Sequence, residues 1–342
     1  VNEKRLRWGI LGLGRIARKF VAGLADSATG RLAAAASRDL ERAHAFLRDT
    51  RSDARAHGDY QALLDDAEVD AVYIATPHPW HAPWTLRAAK AGKHILCEKP
   101  LALNRDQAAA MVDAAEANGV FLMEAFFYRC HPQTARLVEL VREQAVGELR
   151  HLRGAFAFAA PADPESRHRS NALGGGGILD LGCYPVSLHR LLAGAARGAR
   201  FLDPETVKGV GRLDPGTGVD LGASNVMRFE GGIVAETICG IDFHADNQFE
   251  LTGTEGRITV PAPWKPSGEI RVARHGREPE SIAVPADRHA FSFEIDAVAR
   301  HRDAGQAPSP AMSWADSLGN MGALDAWRRE IGLIYEEEKR GP

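Results

Sequence analysis

Leu6-Arg7-Trp8-Gly9-Ile10-Leu11-Gly12-Leu13-Gly14-Arg15-Ile16-Ala17 is the stretch from which the rest of the chain can be read. Leu6 to Leu11 is a short apolar-rich run, as expected of a buried strand. It leads directly into G-x-G-x-x-A and then into residues at helical spacing (Ile16, Phe20, Leu24). In that order the glycines have physical work. Gly12 permits a tight turn, Gly14 lets the backbone approach a pyrophosphate, and Ala17 lets the helix pack close to the strand. The amides at the start of the helix, with the macrodipole behind them, favour an anion there. Gly12, Gly14, Arg15 and Ile16 are therefore the first candidate cofactor contacts.

Working outward, the next strand, Leu32 to Ala36, ends in Ser37-Arg38-Asp39. A site for NAD usually places a carboxylate roughly 20 residues after the fingerprint, on the ribose hydroxyls. Here a hydroxyl and a guanidinium come first, and both suit a 2′-phosphate, so NADP is expected, with NAD as the alternative. Asp39 is the competing candidate for a ribose contact, and Arg38 could equally be a solvated loop cation. Tyr60 to Leu64 is predicted as a short helix. Val69 to Ala75 is a strand closing on Thr76-Pro77-His78-Pro79-Trp80-His81, where Thr76, Pro77 and His81 are expected on the cofactor side. Then His94 to Cys97 is a strand that runs into Glu98-Lys99-Pro100, followed by a helix over Arg105 to Asn118 and a strand over Phe121 to Met123. Lysine just beyond the carboxyl end of a strand lies where open α/β sheets carry their chemistry. Glu98 and Lys99 are added to the cofactor side. Alternation of strand and helix over some 125 residues predicts a doubly wound parallel sheet.

The composition then changes. Glu124 to Pro132 is aromatic-rich and marks the crossover to a second domain, so the expected domains are residues 1–125 and 126–342, with the C-terminal helix packing back on the first. Phe127 and Arg129 are candidate substrate contacts; Arg129 could instead pair with Glu124. A helix toward Glu143 and a long strand, Glu148 to Ala160, lead to a polar loop, Pro161 to Asn171. Next, Gly174-Gly175-Gly176-Gly177 precedes Ile178-Leu179-Asp180-Leu181-Gly182-Cys183-Tyr184-Pro185. The glycines predict a helix entrance where backbone meets a ligand. Asp180 and Tyr184 share a helix face, whereas His189, nine residues on, faces elsewhere and is set aside. Pro185 predicts a kink or break just after Tyr184. From Thr206 to Val284, seven strands with short turns predict a large, mostly antiparallel sheet backed by the Gly176 helix. Two helices, His289 to Asp303 and Pro310 to Ile334, close the chain.

Composition agrees with this plan. At 342 residues the chain is long enough for two domains, and a 45% apolar content suits well-buried α/β layers. The net charge of −3 gives no reason to expect nucleic acid or an anionic membrane. Four dispersed cysteines argue against zinc and disulfides and for a reducing compartment. No run reaches the ~20 apolar residues of a membrane span, and the first strand starts too early for a signal peptide, so cytoplasm is the expected location.

Taken together, Gly12 to Ala17, Ser37-Arg38, Glu98-Lys99-Pro100, Glu124 to Pro132 and Gly174 to Pro185 resemble the Gfo/Idh/MocA oxidoreductase family. Gly-Gly-Gly-x-x-x-Asp-x-Gly-x-Tyr is similar to its NADP-dependent D-xylose and dimeric dihydrodiol dehydrogenase branch. Many inositol dehydrogenase relatives carry histidine where this chain has Tyr184, and dihydrodiol dehydrogenases tend to carry tryptophan at Phe127, so a sugar or polyol is the expected substrate. The resemblance implies an N-terminal Rossmann domain and a C-terminal α+β domain. It also implies that Lys99 and Tyr184 converge beside the nicotinamide. A hydroxyl being oxidised needs a base, and a phenol with a pKa near ~10 needs a neighbouring cation to serve, which Lys99 would be. The converse, Lys99 as proton carrier and Tyr184 as hydrogen-bond donor, stays open. Asp180 would orient Lys99 or hold a substrate hydroxyl, or merely cap its helix. A dimer or tetramer through the C-terminal sheet is expected. The rival readings are a trans-dihydrodiol dehydrogenase, a glucose-fructose-type oxidoreductase that retains its cofactor, and a non-catalytic nucleotide- or sugar-binding protein.

Overall fold

The computed structural model describes residues 5–163 and 166–340. Part of the polar loop expected over Pro161 to Asn171, and the first residues of the charged lead, lie outside them. The chain divides into two compact units. One comprises the residues through Ala102, Asp106–Cys130 and Asp287–Ser317; the other comprises Leu103–Arg105, His131–Ala286 and the residues from Leu318 onward. The main crossing between the units falls after Cys130, close to the expected 125/126 boundary, and Asp287–Ser317 returns to the first unit.

In that first unit the order is β1 (Leu6–Leu11), α1 (Arg15–Asp26), β2 (Gly30–Ala36), α2 (Leu40–Asp49), β3 (Arg55–His57) and α3 (Tyr60–Leu64). It continues with β4 (Ala71–Ile74), α4 (His81–Lys90), β5 (His94–Glu98), α5 (Arg105–Ala117) and β6 (Leu122–Ala125). The six strands form one parallel sheet in the order β3-β2-β1-β4-β5-β6. The chain reverses direction across the sheet between β1 and β4, and the crevice at the carboxyl ends there is the usual ligand position. Strands β4 to β6 are almost wholly buried and mainly apolar, as expected of parallel strands covered on both faces, with Glu98 and Glu124 as buried exceptions. Phe20 of α1 stacks on Tyr73 of β4 at 3.9 Å and meets Trp8 of β1 edge-on, which locks helix to sheet beneath the fingerprint turn.

The second unit holds α6 (Pro132–Arg142), β7 (Leu149–Ala157), α7 (Cys183–Ala196) and seven more strands. These are β8 (Thr206–Leu213), β9 (Asp220–Arg228), β10 (Val234–Gly240), β11 (Phe249–Gly253), β12 (Gly256–Val260), β13 (Glu269–Arg274) and β14 (Glu280–Ala283). Their sheet runs β14-β13-β12-β11-β7-β10-β9-β8. All neighbours are antiparallel except β7 and β10, which are parallel because β7 sits between β10 and β11 and the connection must pass over it. Helix α7 lies against β7, where a Cβ on Gly154 would come within 2.7 Å of Pro185.

Two helices complete the chain, α8 (Ala290–His301) and α9 (Trp314–Ile331). Helix α8 belongs with the first unit. A Cβ on Gly23 of α1 would stand 2.6 Å from that of Phe291, and the Ser27 and Thr29 hydroxyls donate to Asp296 at 2.6 and 2.7 Å. Among the described residues no helix is long and apolar enough to cross a membrane.

Candidate active site

The two fingerprint glycines answer to different neighbours. Gly12 has φ +94°, and a Cβ there would lie 2.7 Å from the Ala75 carbonyl oxygen. Its absence of a side chain is demanded by the turn after β4. Around Gly14 nothing lies within 4 Å of a would-be Cβ. No protein group explains that glycine, which leaves room for a ligand. Gly14 is the N-cap of α1, no side chain caps the helix, and no acidic residue stands in its first turn. Its leading amides are thus open to an anion. The buried Thr76 hydroxyl, whose backbone adjoins Gly12, has no hydrogen-bond partner among the described residues. An open helix start and an orphaned hydroxyl fit a dinucleotide phosphate group.

At the tip of β2, Ser37 is buried and Arg38 exposed. Asp39, the competing ribose candidate, is the N-cap of α2 and accepts the Glu41 amide at 2.9 Å. Arg42 and Tyr60, which sequence reasoning did not single out, stand with Arg38: the charges of both arginines reach the Tyr60 phenol, whose pKa burial raises. The only local signal was that Arg42 lies in the first turn of the helix that follows Arg38.

Lys99 is half-buried at the carboxyl end of β5. Its surroundings correct several expectations. Glu98 points inward, where one oxygen takes a very short hydrogen bond from the Tyr73 hydroxyl and the other accepts the Lys99 amide at 3.2 Å. His81 is fully buried rather than open to a cofactor. Its Nδ1 lies 2.9 Å from the Pro100 carbonyl oxygen and its Nε2 2.9 Å from that of Thr76. The ring ties together the turns after β4 and β5. Burial pushes its pKa down to about 4, against the pull of those two carbonyls. Arg129 is also fully buried, donating to Asp316 at 2.5 Å and to the Pro310 carbonyl at 2.6 Å. The ion-pair alternative is the one realised, with Asp316 in place of Glu124, and Arg129 leaves the substrate list. Glu124 instead accepts the Leu101 amide at 2.9 Å and the Ser317 hydroxyl at 2.7 Å. Phe127 stacks on Phe291 at 4.7 Å, so packing accounts for one face of its ring.

In the second unit the glycine run proves to be packed by protein. A Cβ on Gly175 would meet the His168 carbonyl oxygen at 2.6 Å, and one on Gly176 (φ +106°) the Asp220 carboxylate at 2.1 Å. Asp220, fully buried, accepts the Ile178 amide at 2.7 Å and serves this helix entrance as its cap. Burial pushes its carboxyl up to about 7. The expected break after Tyr184 is absent. Residues Ile178–Gly182 form a π turn that runs directly into α7, and Pro185 lies just past the point where the wider turn gives way to α-helix. Asp180, within the π turn, is almost fully buried. It receives His168 Nδ1 at 3.1 Å and the Arg167 guanidinium at 3.3 Å, partners the polar loop supplied but the sequence did not place. Tyr184 is also buried, with Phe156 and Trp264 edge-on to its ring at 5.2 and 5.9 Å. His189 is fully enclosed, and its pKa is pushed down by burial to about 3. The four cysteines are free, and among the described residues no cluster of metal ligands exists.

Comparison with known proteins agrees along the whole chain. Residues 6–126 match the family model for the Gfo/Idh/MocA oxidoreductase family with NAD-binding Rossmann fold, and residues 134–259 match the Gfo/Idh/MocA C-terminal domain. The mouse trans-1,2-dihydrobenzene-1,2-diol dehydrogenase is 33% identical, the alignment covering 98% of this chain and 99% of that protein. D-xylose 1-dehydrogenase (NADP(+)) 2 of Haloferax volcanii is 33% identical over 98% of both. A 3-ketoreductase from Actinomadura kijaniata, solved with NADP and TDP-benzene, superimposes with a TM-score of 0.85 at 30% identity, covering 96% of this chain and 98% of that one. The chain belongs to the Gfo/Idh/MocA family of oxidoreductases.

Proposed function

We propose that this oxidoreductase uses NADP in the interconversion of a hydroxyl and a carbonyl on a sugar or related polyol, with Lys99 and Tyr184 handling the hydroxyl proton. The observation that carries the reading lies within the first unit. Lys99 is fixed at the carboxyl end of β5, on the sheet edge where the open Gly14 turn would hold a dinucleotide. When bound, the nicotinamide supplies the hydride acceptor or donor. Gly12, Gly14, Arg15, Ile16 and Thr76 would hold its phosphates and ribose. Arg38, with Ser37 and Arg42 nearby, would take the 2′-phosphate, since Asp39 is committed to its helix cap. The NADP in the name of the Haloferax relative and in the A. kijaniata structure supports this preference. Solved variants of that ketoreductase replace a lysine by alanine and a tyrosine by phenylalanine, the residue types assigned here to proton transfer.

Lys99⁺ lowers the cost of forming the Tyr184 phenolate, which accepts the substrate proton. Asp180, held by His168 and Arg167, is an acceptor for a second substrate hydroxyl. An aromatic trans-dihydrodiol is the second substrate reading, favoured by the mouse relative. Exposed Val210 and Val226 share one face of the β8–β9 pair and support self-association through that sheet. A panel of aldoses, anhydrosugars, polyols and a trans-dihydrobenzenediol, run with NADP and NAD, tests the proposal. Turnover with a sugar and NADP is expected; turnover with the dihydrodiol alone selects the second reading, and cofactor binding without turnover of any member contradicts both. Arg38→Ala should weaken NADP roughly 10- to 100-fold and NAD little, the loss of a charge-assisted bond worth about 1.5–3 kcal/mol. Equal losses would remove Arg38 from the 2′-phosphate.

A further inference from the structure

The three residues Lys99, Pro100 and Leu101 form a turn held from below at each position. Glu98 takes the amide of Lys99, His81 meets the carbonyl of Pro100, and Glu124 takes the amide of Leu101. Glu124 uses both of its oxygens, on the Leu101 amide at 2.9 Å and the Ser317 hydroxyl at 2.7 Å. It projects from β6 directly beside Cys97 of β5, its partner in the ladder, and is 1% exposed. The catalytic reading gives it no task, yet a carboxylate enclosed this completely is costly unless the bonds it makes matter.

We propose that Glu124 is a positioning residue for Lys99: its carboxylate grips the Leu101 amide and thereby fixes the turn from which the lysine side chain projects. The inference rests on the assignment of Lys99 to the chemistry. A carboxylate accepts an amide roughly twice as strongly as a neutral acid does, so the grip depends on the charge state of Glu124. The groups that face it set that state. Burial raises its pKa to about 7, and the Asp316 charge adds to the rise; Ser317, Leu101 and the Arg129 cation act the other way. From β5 the adjacent group is the Cys97 thiol, itself pushed far up by burial and neutral. Above about pH 7 the anion holds Leu101; below it the neutral acid holds it less firmly.

Three variants and two readouts test this. Amide hydrogen exchange reads the grip without reference to catalysis. Leu101 should exchange at least about 10-fold faster in Glu124→Leu than in wild type and stay largely protected in Glu124→Gln. Unchanged protection in Glu124→Leu overturns the proposal whatever the enzyme does. In turnover, Glu124→Leu should lose about 10- to 100-fold in kcat with cofactor Kd unchanged, the scale of a misplaced reacting group. Glu124→Gln should lose only a few-fold and lack the decline in kcat that wild type shows below about pH 7. Lys99→Ala separates the two layers of argument. If it keeps wild-type kcat, the assignment of Lys99 fails; if it abolishes turnover while Glu124→Leu is fully active despite faster Leu101 exchange, the positioning role fails. Should Glu124→Leu not fold, Glu124→Gln decides alone, and a wild-type decline near pH 7 in that variant overturns the proposal.

Discussion

Two turns, one in each unit, carry the residues assigned to the chemistry, and each hangs from a buried carboxyl that accepts a backbone amide. At the Lys99 turn Glu124 takes Leu101; at the helix entrance before Asp180, Asp220 takes Ile178. Burial raises both carboxyls to about 7. They differ in how they are served. Glu124 has a donor on each oxygen and the Arg129 cation close by, whereas one oxygen of Asp220 has no partner. The first turn is held by side chains that reach its backbone. The second is built by removing side chains, with Gly175 and Gly176 hydrogen-only where a Cβ would strike protein. The lesson is that glycines near a proposed site can be required by the protein's own polar groups, and only the structure tells the cases apart. Gly176 is required by the protein's own Asp220, whereas no described residue lies within 4 Å of a Cβ on Gly14, the glycine proposed to face the dinucleotide.

The largest expected effect follows from that distinction. Gly176→Ala places a methyl 2.1 Å from Asp220 at φ +106°, so overpacking and left-handed strain combine. A stability loss of about 2–5 kcal/mol is expected by denaturant titration. A variant within 0.5 kcal/mol, roughly the scatter of ordinary surface changes, would break the comparison.

A smaller effect sharpens it. The folded pKa of Asp220 lies above its unfolded value, so between about pH 4 and pH 7 the native state binds a proton that the unfolded chain has released. Its contribution to stability is therefore present at low pH and lost as pH rises to about 7. Asp220→Asn should flatten the pH dependence of stability across that window, by on the order of 1–3 kcal/mol. An unchanged slope in the variant would mean that Asp220 is ionised there and that its unpartnered oxygen costs little.

How much of this was legible depended on the range of the interaction. Strand β1, the fingerprint and the Lys99 turn announce themselves within a dozen residues, because a buried parallel strand is a continuous apolar run and a tight turn needs glycine. Strand β8 and helix α3 were also placed to the residue. Partners far apart in the chain left no local trace. Arg129 meets Asp316 across 187 positions and Glu124 meets Ser317 across 193. The return of α8 to the first unit rests on Ser27 and Thr29 meeting Asp296, again a contact that spacing cannot show. The break expected just after Tyr184 did not occur because the run widens into a π turn just before it, a rearrangement that residue spacing does not show.

The most direct test of the catalytic assignment is kcat against pH for alcohol oxidation, measured on wild type and Tyr184→Phe with the sugar and cofactor found active. The wild-type rate should rise toward high pH with a pKa below ~10, because Lys99⁺ favours the phenolate. The phenylalanine variant, which keeps the packing against Phe156 and Trp264, should lose about 10²–10⁴-fold in kcat together with that limb. A variant that stays within a few-fold of wild type and keeps the basic limb would contradict the assignment and hand the proton to Lys99.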